Sequence, residues 1–200
     1  MARPRTFDET AVLDAAAAQF RVHGFADTST EQLCEAADVR RSSLYNAFTS
    51  KDELFVRALE HYAATMRGRQ EVILTDASLT GAERLRKLVD AIVDEERAAR
   101  SEGHAAGCMA VHTLMNPDLR ARDERIARIL DHDLQLRLGM LEDAIRAGRA
   151  DGSIPDGPAV RESALLVNTL VSGIRVTAQT GVPPEMLRRI VLDGLRSLLI

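Results

Sequence analysis

Residues 28–55 read TSTEQLCEAADVRRSSLYNAFTSKDELF, and this stretch decides the fold. Thr28 followed three residues on by Glu31 is a capping box that opens a helix. Leu33, Ala36 and Ala37 fall on one face of it. Asp38 breaks the pattern, and Val39 turns back toward a core. A second short helix, Arg40 to Phe48, sets Arg40, Arg41, Ser42, Ser43, Tyr45 and Asn46 around the apolar pair Leu44 and Phe48. Ser50 and Glu53 form another capping box and start the next helix. Two short helices joined by a turn of about 3–4 residues, the second polar and Arg-bearing, make a helix-turn-helix of the kind that reads a DNA major groove. With Leu44 and Phe48 facing inward, Arg40, Arg41, Ser42, Tyr45 and Asn46 face out. Arg bonds guanine bidentately and Asn bonds adenine in the same way. The plainer reading of such a helix is a solvated polar face.

At Thr28, Thr30, Leu33, Ala37, Val39, Ser43, Leu44, Tyr45, Phe48, Ser50, Lys51, Leu54 and Phe55 the chain resembles the TetR family of transcriptional regulators. The likeness covers about the first quarter of the chain, and the remainder matches in layout. One departure is Asp38, where the family usually has glycine. Asp tolerates a left-handed conformation better than most residues. The resemblance implies Arg41, Ser42 and Asn46 as base readers, and Thr28, Ser43, Tyr45 and Lys51 as phosphate clamps. It also implies a palindromic operator in double-stranded DNA, a homodimer, and usually repression.

Bulk charge does not advertise this. The chain carries a net charge of −4. Up to residue 51, Arg3, Arg5, Arg21, Arg40, Arg41 and Lys51 face Asp8, Glu9, Asp14, Asp27, Glu31, Glu35 and Asp38. Position matters more than the sum, because a local basic face binds phosphate on a neutral domain. Arg3 and Arg5 form an N-terminal arm. It reads equally as a frayed terminus or as a groove contact of the type DNA-binding arms make.

The rest is helical by pattern. Ala, Leu and Arg dominate and all favour helices. Thr6 and Glu9 cap a first helix that reaches about Val22, with Leu13, Ala16 and Phe20 as its core stripe and Gly24 as its stop. A helix from Lys51 to about Gln70 has an apolar stripe too long for the DNA-binding unit alone. It should therefore also touch the second part of the chain. Thr80 and Glu83 cap a helix that runs to about Ser101. His104 to Met115 reads as a short helix. Pro117 opens a long one reaching about Gly148. Two more follow, 159–180 and 184–199, each apolar on more than one face. Their second stripes need a partner, which a two-fold dimer through these two helices supplies. The expected architecture is all-α. An N-terminal three-helix helix-turn-helix DNA-binding domain occupies residues 1–50, and a helical ligand-sensing and dimerisation domain occupies residues 51–200.

Ligand-binding candidates are Tyr62, Met66, Cys108, Met109, His112, Met115, Asn168 and Thr169. Met suits an adaptable apolar site, although a plain core explains the same residues. His104, Cys108 and His112 are spaced i, i+4, i+8. That spacing reads as a metal site or as a buried structural thiol, while Gly107-Cys108 ahead of an apolar helix resembles an electrophile- or oxidant-sensing subgroup of the TetR family, whose reactive thiol needs a lowered pKa of the kind neighbouring imidazoles supply. The spacing lacks a metal signature, so no metal or cofactor is expected. Cys34 reads as a packed thiol. Two cysteines far apart argue against a disulfide framework. No apolar run approaches the roughly 18 residues of a membrane span, and no secretory h-region follows Met1–Arg5. Both point to a cytoplasmic protein. No nucleophile–base pair, phosphate cradle or carboxylate pair suggests an enzyme. The function expected is a small-molecule-responsive regulator that binds DNA. The alternatives are a protein-interaction module on the same scaffold and a helical enzyme.

Overall fold

A computed structural model describes residues 8–101 and 107–198 of the chain. Among them are ten helices: α1 (Glu9–Asp27), α2 (Thr30–Ala36), α3 (Arg41–Phe48), α4 (Lys51–Leu74), α5 (Gly81–Ser101), α6 (Met109–Leu114), α7 (Pro117–Arg122), α8 (Glu124–Ala150), α9 (Val160–Ala178) and α10 (Pro184–Gly194). No strand occurs among the described residues. Arg3, Arg5, Thr6 and His104 lie outside them.

The helix starts differ in detail from the sequence pattern. Asp8 caps α1, its carboxylate accepting from the Ala11 amide at 3.2 Å. The box expected at Thr28 and Glu31 is displaced by one residue. Ser29 and Gln32 make it reciprocally instead, at 3.2 and 2.7 Å. Thr28 has another task. It is fully buried, and its hydroxyl donates to the Gly24 carbonyl at 2.6 Å. Gly24, at φ 75°, ends the regular part of α1, as the C-terminal glycine predicts. Asp38 does take the left-handed conformation, at φ 51°. At Ser50 the box is half formed. The hydroxyl accepts from the Glu53 amide, while the Glu53 carboxylate goes to Arg125 at 2.8 Å. Thr80 and Glu83 form the full box.

Two helices are shorter than the pattern suggests. The helix expected over 104–115 begins only at Met109, with Cys108 as an extended N-cap at φ −147°. The helix expected from Pro117 to Gly148 breaks at Asp123, which is also extended, at φ −146°. The reason is local. The Asp123 carboxylate caps the Arg125 amide at 2.9 Å and grips the Arg125 guanidinium, which favours a cap over a helix interior.

Two apolar clusters organise the packing. One gathers Phe20, Leu33, Leu44, Phe48, Leu54, Phe55 and Leu59, and continues into Met109, Leu119, Ile126 and Leu130. Within it Phe20 and Phe25 both meet Phe55 edge-on, at 5.0 and 5.1 Å between centroids. The other joins α5, α8, α9 and α10 through residues such as Leu85, Val89, Leu141, Ile145, Val167 and Val191. Helix α4 enters both. Leu54 to Tyr62 belong to the first cluster and Leu74 to the second. At 24 residues α4 is about 36 Å long. That length is what its long apolar stripe requires.

Candidate nucleic-acid interface and ligand cavity

Helix α3 sits on two side chains. Leu44 is 3% exposed and Phe48 is 1% exposed, so the helix cannot rotate without losing its core. This fixes the opposite face. Arg40, Arg41, Ser42 and Asn46 are exposed along it, and Ser43 and Tyr45 are half-buried at its edge. The Tyr45 hydroxyl lies 3.1 Å from the Thr30 hydroxyl, which ties α3 to α2. Thr30 carries no role in the sequence reading beyond its match to the family pattern. The Arg41 guanidinium lies 5.6 Å from the Tyr45 ring centre and bonds Glu31 at 3.0 Å. That ion pair is exposed on both sides, so water screens it and a phosphate or base edge can replace the carboxylate.

Lys51 is half-buried at the foot of this face, its ammonium 4.4 Å from the Phe25 ring centre. Burial, partly offset by Asp52, pulls it below the usual lysine range. Arg122 stacks on the same ring at 5.0 Å and pairs with Asp52 at 2.9 Å. Thr28 corrects the expected clamp set. Its buried hydroxyl is already bonded and presents nothing to a phosphate.

The second site is a cavity of ≈ 30 Å³ where α4, α5, α6, α8 and α9 converge. Tyr62, Met66 and Cys108 line it, as the sequence suggests, together with Ala63, Ile92, Ala110, Val111 and Val171. Its polar side is Gln70, Asp133, Arg137, Ser172 and Arg175. The other ligand candidates lie elsewhere. Met109 is packed in the core beneath it, and His112 is half-buried outside the lining. Met115 and Thr169 are exposed. Asn168 is half-buried away from the cavity, with its Oδ1 unpartnered among the described residues.

The ionised part of the wall is absent from the sequence reading. Arg175 is buried. It bonds Glu96 at 2.9 Å and also pairs with Glu95. Burial alone would lower its pKa, but the carboxylates of Glu95 and Glu96, with Cys108 and Tyr62, outweigh it and raise it, so the guanidinium stays charged. A signal for it existed. Arg175 is the one charged residue between Glu162 and Glu185. Tyr62 lines the cavity beside Cys108. Burial, then the neighbouring thiol, pushes its hydroxyl well above the usual range. Cys108 stands at an extended cap rather than inside a helix, so the helix that carries His112 does not extend through it, and His104 of the expected face lies outside the described residues. Cys34 is packed against the first cluster, and burial pushes its thiol up, in keeping with a structural role. No described helix is long and apolar enough to cross a membrane.

An all-helical chain that presents a polar, Arg-bearing second helix from a helix-turn-helix, ahead of a larger helical part with its own cavity, defines the class of helical DNA-binding regulators. Residues 12–58 match the family described as bacterial regulatory proteins, tetR family. The repressor ComR of Escherichia coli is 29% identical over 198 residues, covering 97% of this chain and 90% of ComR. The repressor BdcR of the same species is 32% identical over 121 residues, 60% of this chain and 59% of BdcR. Among solved structures, the TetR-family regulator CifR, a cysteine mutant in complex with 26-bp double-strand operator DNA, superposes with a TM-score of 0.78. Its identity is 29%, over 98% of this chain and 100% of CifR. The chain belongs to the TetR family of transcriptional regulators.

Proposed function

We propose that the protein is a repressor that binds a palindromic operator as a homodimer and is released by a small molecule. Residues 1–50 read DNA and residues 51–200 sense and dimerise. The observation that carries this reading is the exposed row Arg40, Arg41, Ser42 and Asn46 on a helix anchored by buried Leu44 and Phe48. ComR and BdcR, which the chain resembles, are repressors by name, and the CifR structure holds operator DNA. In this reading Arg41, Ser42 and Asn46 read bases, while Ser43, Tyr45 and Lys51 position phosphates. The N-terminal Arg3 and Arg5 add groove contacts. The protein acts in the cytoplasm, as a binder rather than a catalyst.

Support for the dimer comes from the large apolar side chains left in solvent on the last two described helices. These are Leu165, Leu166 and Val176 on α9, with Met186 and Ile190 on α10. Two copies of this face make a four-helix bundle. Replacing Ile190 with Asp places a charge at the centre of that face. The variant is expected to sediment as a monomer and to lose operator binding, because one half-site supplies few phosphate contacts. A dimer of wild-type stability in Ile190→Asp would place the interface elsewhere.

Release follows from geometry. The half-sites lie about one helical turn or a multiple apart. A ligand that favours another separation of the recognition helices lowers affinity by its differential binding free energy. Helix α4 is the lever, since it leaves the recognition helix and passes the cavity. Cys108, half-buried in the cavity wall against Tyr62, is the candidate thiol for electrophile or oxidant sensing.

Operator selection from random duplex DNA tests the whole reading. An enriched palindrome is expected. Arg41→Ala should weaken binding by about 1–3 kcal/mol and relax specificity at one position. Absence of any enriched sequence at low salt would sink it. Oxidant that releases wild type but not Cys108→Ser would assign sensing to the thiol. Equal indifference of both would leave a non-covalent ligand.

A further inference from the structure

The charges around the cavity are not equally satisfied. Arg175 is held by Glu95 and Glu96. Asp133, 7% exposed, accepts a hydrogen bond from Arg67 at 2.9 Å. Arg137, one turn along α8, is the second cation on that same carboxylate, and only at 3.4 Å. Its Nε is buried in the wall without a partner among the described residues. A buried donor left unmet on a half-buried guanidinium is costly, and it is met by an acceptor, best of all by an anion. Ser172 adds a hydroxyl on the same wall, and Tyr62, Met66, Ile92 and Val171 supply an apolar side.

We infer that this cavity takes a small carboxylic acid, with its carboxylate on the Arg137 guanidinium and its apolar body against Tyr62, Met66 and Val171. The inference rests on the reading of this cavity as the effector site and names the class of effector. The room now present, ≈ 30 Å³, is about that of one water. Binding therefore widens the cavity. Met66 is the wall that yields, because it is half-buried and unbranched with three rotatable bonds. It stands on α4, so the volume an acid demands is transmitted to the helix that follows the recognition helix.

The test is calorimetry on the full chain at neutral pH with butyrate, hexanoate, benzoate and phenylacetate, each against its amide. At least one acid is expected to bind at about millimolar affinity or tighter, with its amide weaker by roughly tenfold or more. Arg137→Lys keeps a charge beside Asp133 but removes the Nε donor, and should lose roughly tenfold. Arg137→Gln should lose more. Melting curves of both variants establish that they fold. No acid binding, equal binding of acid and amide, or full retention in Arg137→Lys and Arg137→Gln overturns the inference. Operator anisotropy is read separately. Acids that bind without releasing DNA support the site but remove its effector role. Release by a neutral or electrophilic compound with no acid binding overturns the acid and leaves the regulator reading intact.

Discussion

Arg175→Met is expected to destabilise the protein by about 3–5 kcal/mol, the usual effect of removing one partner from a buried ion pair. For a chain of 200 residues this is a fall in Tm of roughly 6–20 °C. The Arg175 side chain is 6% exposed and that of Glu96 is 2% exposed, so neither charge has water to fall back on. Arg175 stands on α9 and both carboxylates on α5, so the pair also joins two helices of the second cluster. Met fills most of the volume but takes the Arg175 countercharge away from the buried Glu96 carboxylate. The double variant Arg175→Met/Glu96→Gln removes that charge and should recover most of the loss, since a neutral, well-packed replacement of a buried pair is often close to harmless. Thermal and urea melts of the three proteins decide it. If the double variant is no better than the single, the loss lies in packing and the ion-pair account is wrong.

Arg175 also shows where sequence reading stops. A single charge in the otherwise uncharged stretch between Glu162 and Glu185 says that something must compensate it, but not that the compensation comes from Glu95 and Glu96, some 80 residues earlier. The helix-turn-helix was legible because all its constraints are local: cap residues, an Asp tolerant of positive φ, and two apolar positions on a polar helix. Its errors were local too. Thr28 and Ser29 can each cap a helix, and the choice fell to Ser29 because the Thr28 hydroxyl is drawn to the Gly24 carbonyl. Asp123 falls inside the single long helix that the pattern runs from Pro117 to about Gly148. Its bond to Arg125, and the Arg125 bond to Glu53, turn that position into a break that meets the start of α4. The cavity was half legible. Tyr62, Met66 and Cys108 follow from an apolar and sulfur-bearing pattern, whereas Asp133 and Arg137 look from sequence like ordinary helix-face charges. Their role depends on which helices face each other, and periodicity does not carry that information.

These particulars bear on how a signal would travel. The first apolar cluster does not end with the DNA-reading helices. It continues through α4 into Met109, Leu119 and Ile126. The ion pairs Arg122–Asp52 and Arg125–Glu53 bind the α7–α8 junction to the first turn of α4, directly after the recognition helix. The elements that border the cavity, α4, α6 and α8, are thus joined to α3 by packed side chains, with two ion pairs alongside. A densely packed interior of this kind passes on displacement rather than absorbing it.

Among the described glycines, Gly81 should be the most damaging place to add a methyl group. The Cβ would stand 2.4 Å from the Gly148 Cα and N and 2.5 Å from the Ala144 carbonyl oxygen. All three are backbone atoms, so no rotamer change relieves the contact. Helix α5 would have to move away from α8. That movement strains two bonds that satisfy the first turn of α5, Gly81 N–H to Asp151 at 2.9 Å and Ala82 N–H to Ser153 at 3.1 Å. Overpacking of this severity costs about 3 kcal/mol or more, a fall in Tm of roughly 6–12 °C. Gly68 is the control. It lies inside α4, exposed, with nothing within 4 Å of an added Cβ. Gly68→Ala should stabilise by about 0.5–1 kcal/mol through helix propensity alone. The same substitution thus has opposite signs at two positions. Calorimetric melts of both variants read the difference directly, and a Gly81→Ala protein melting at the wild-type temperature would mean that α5 and α8 do not cross at these two glycines.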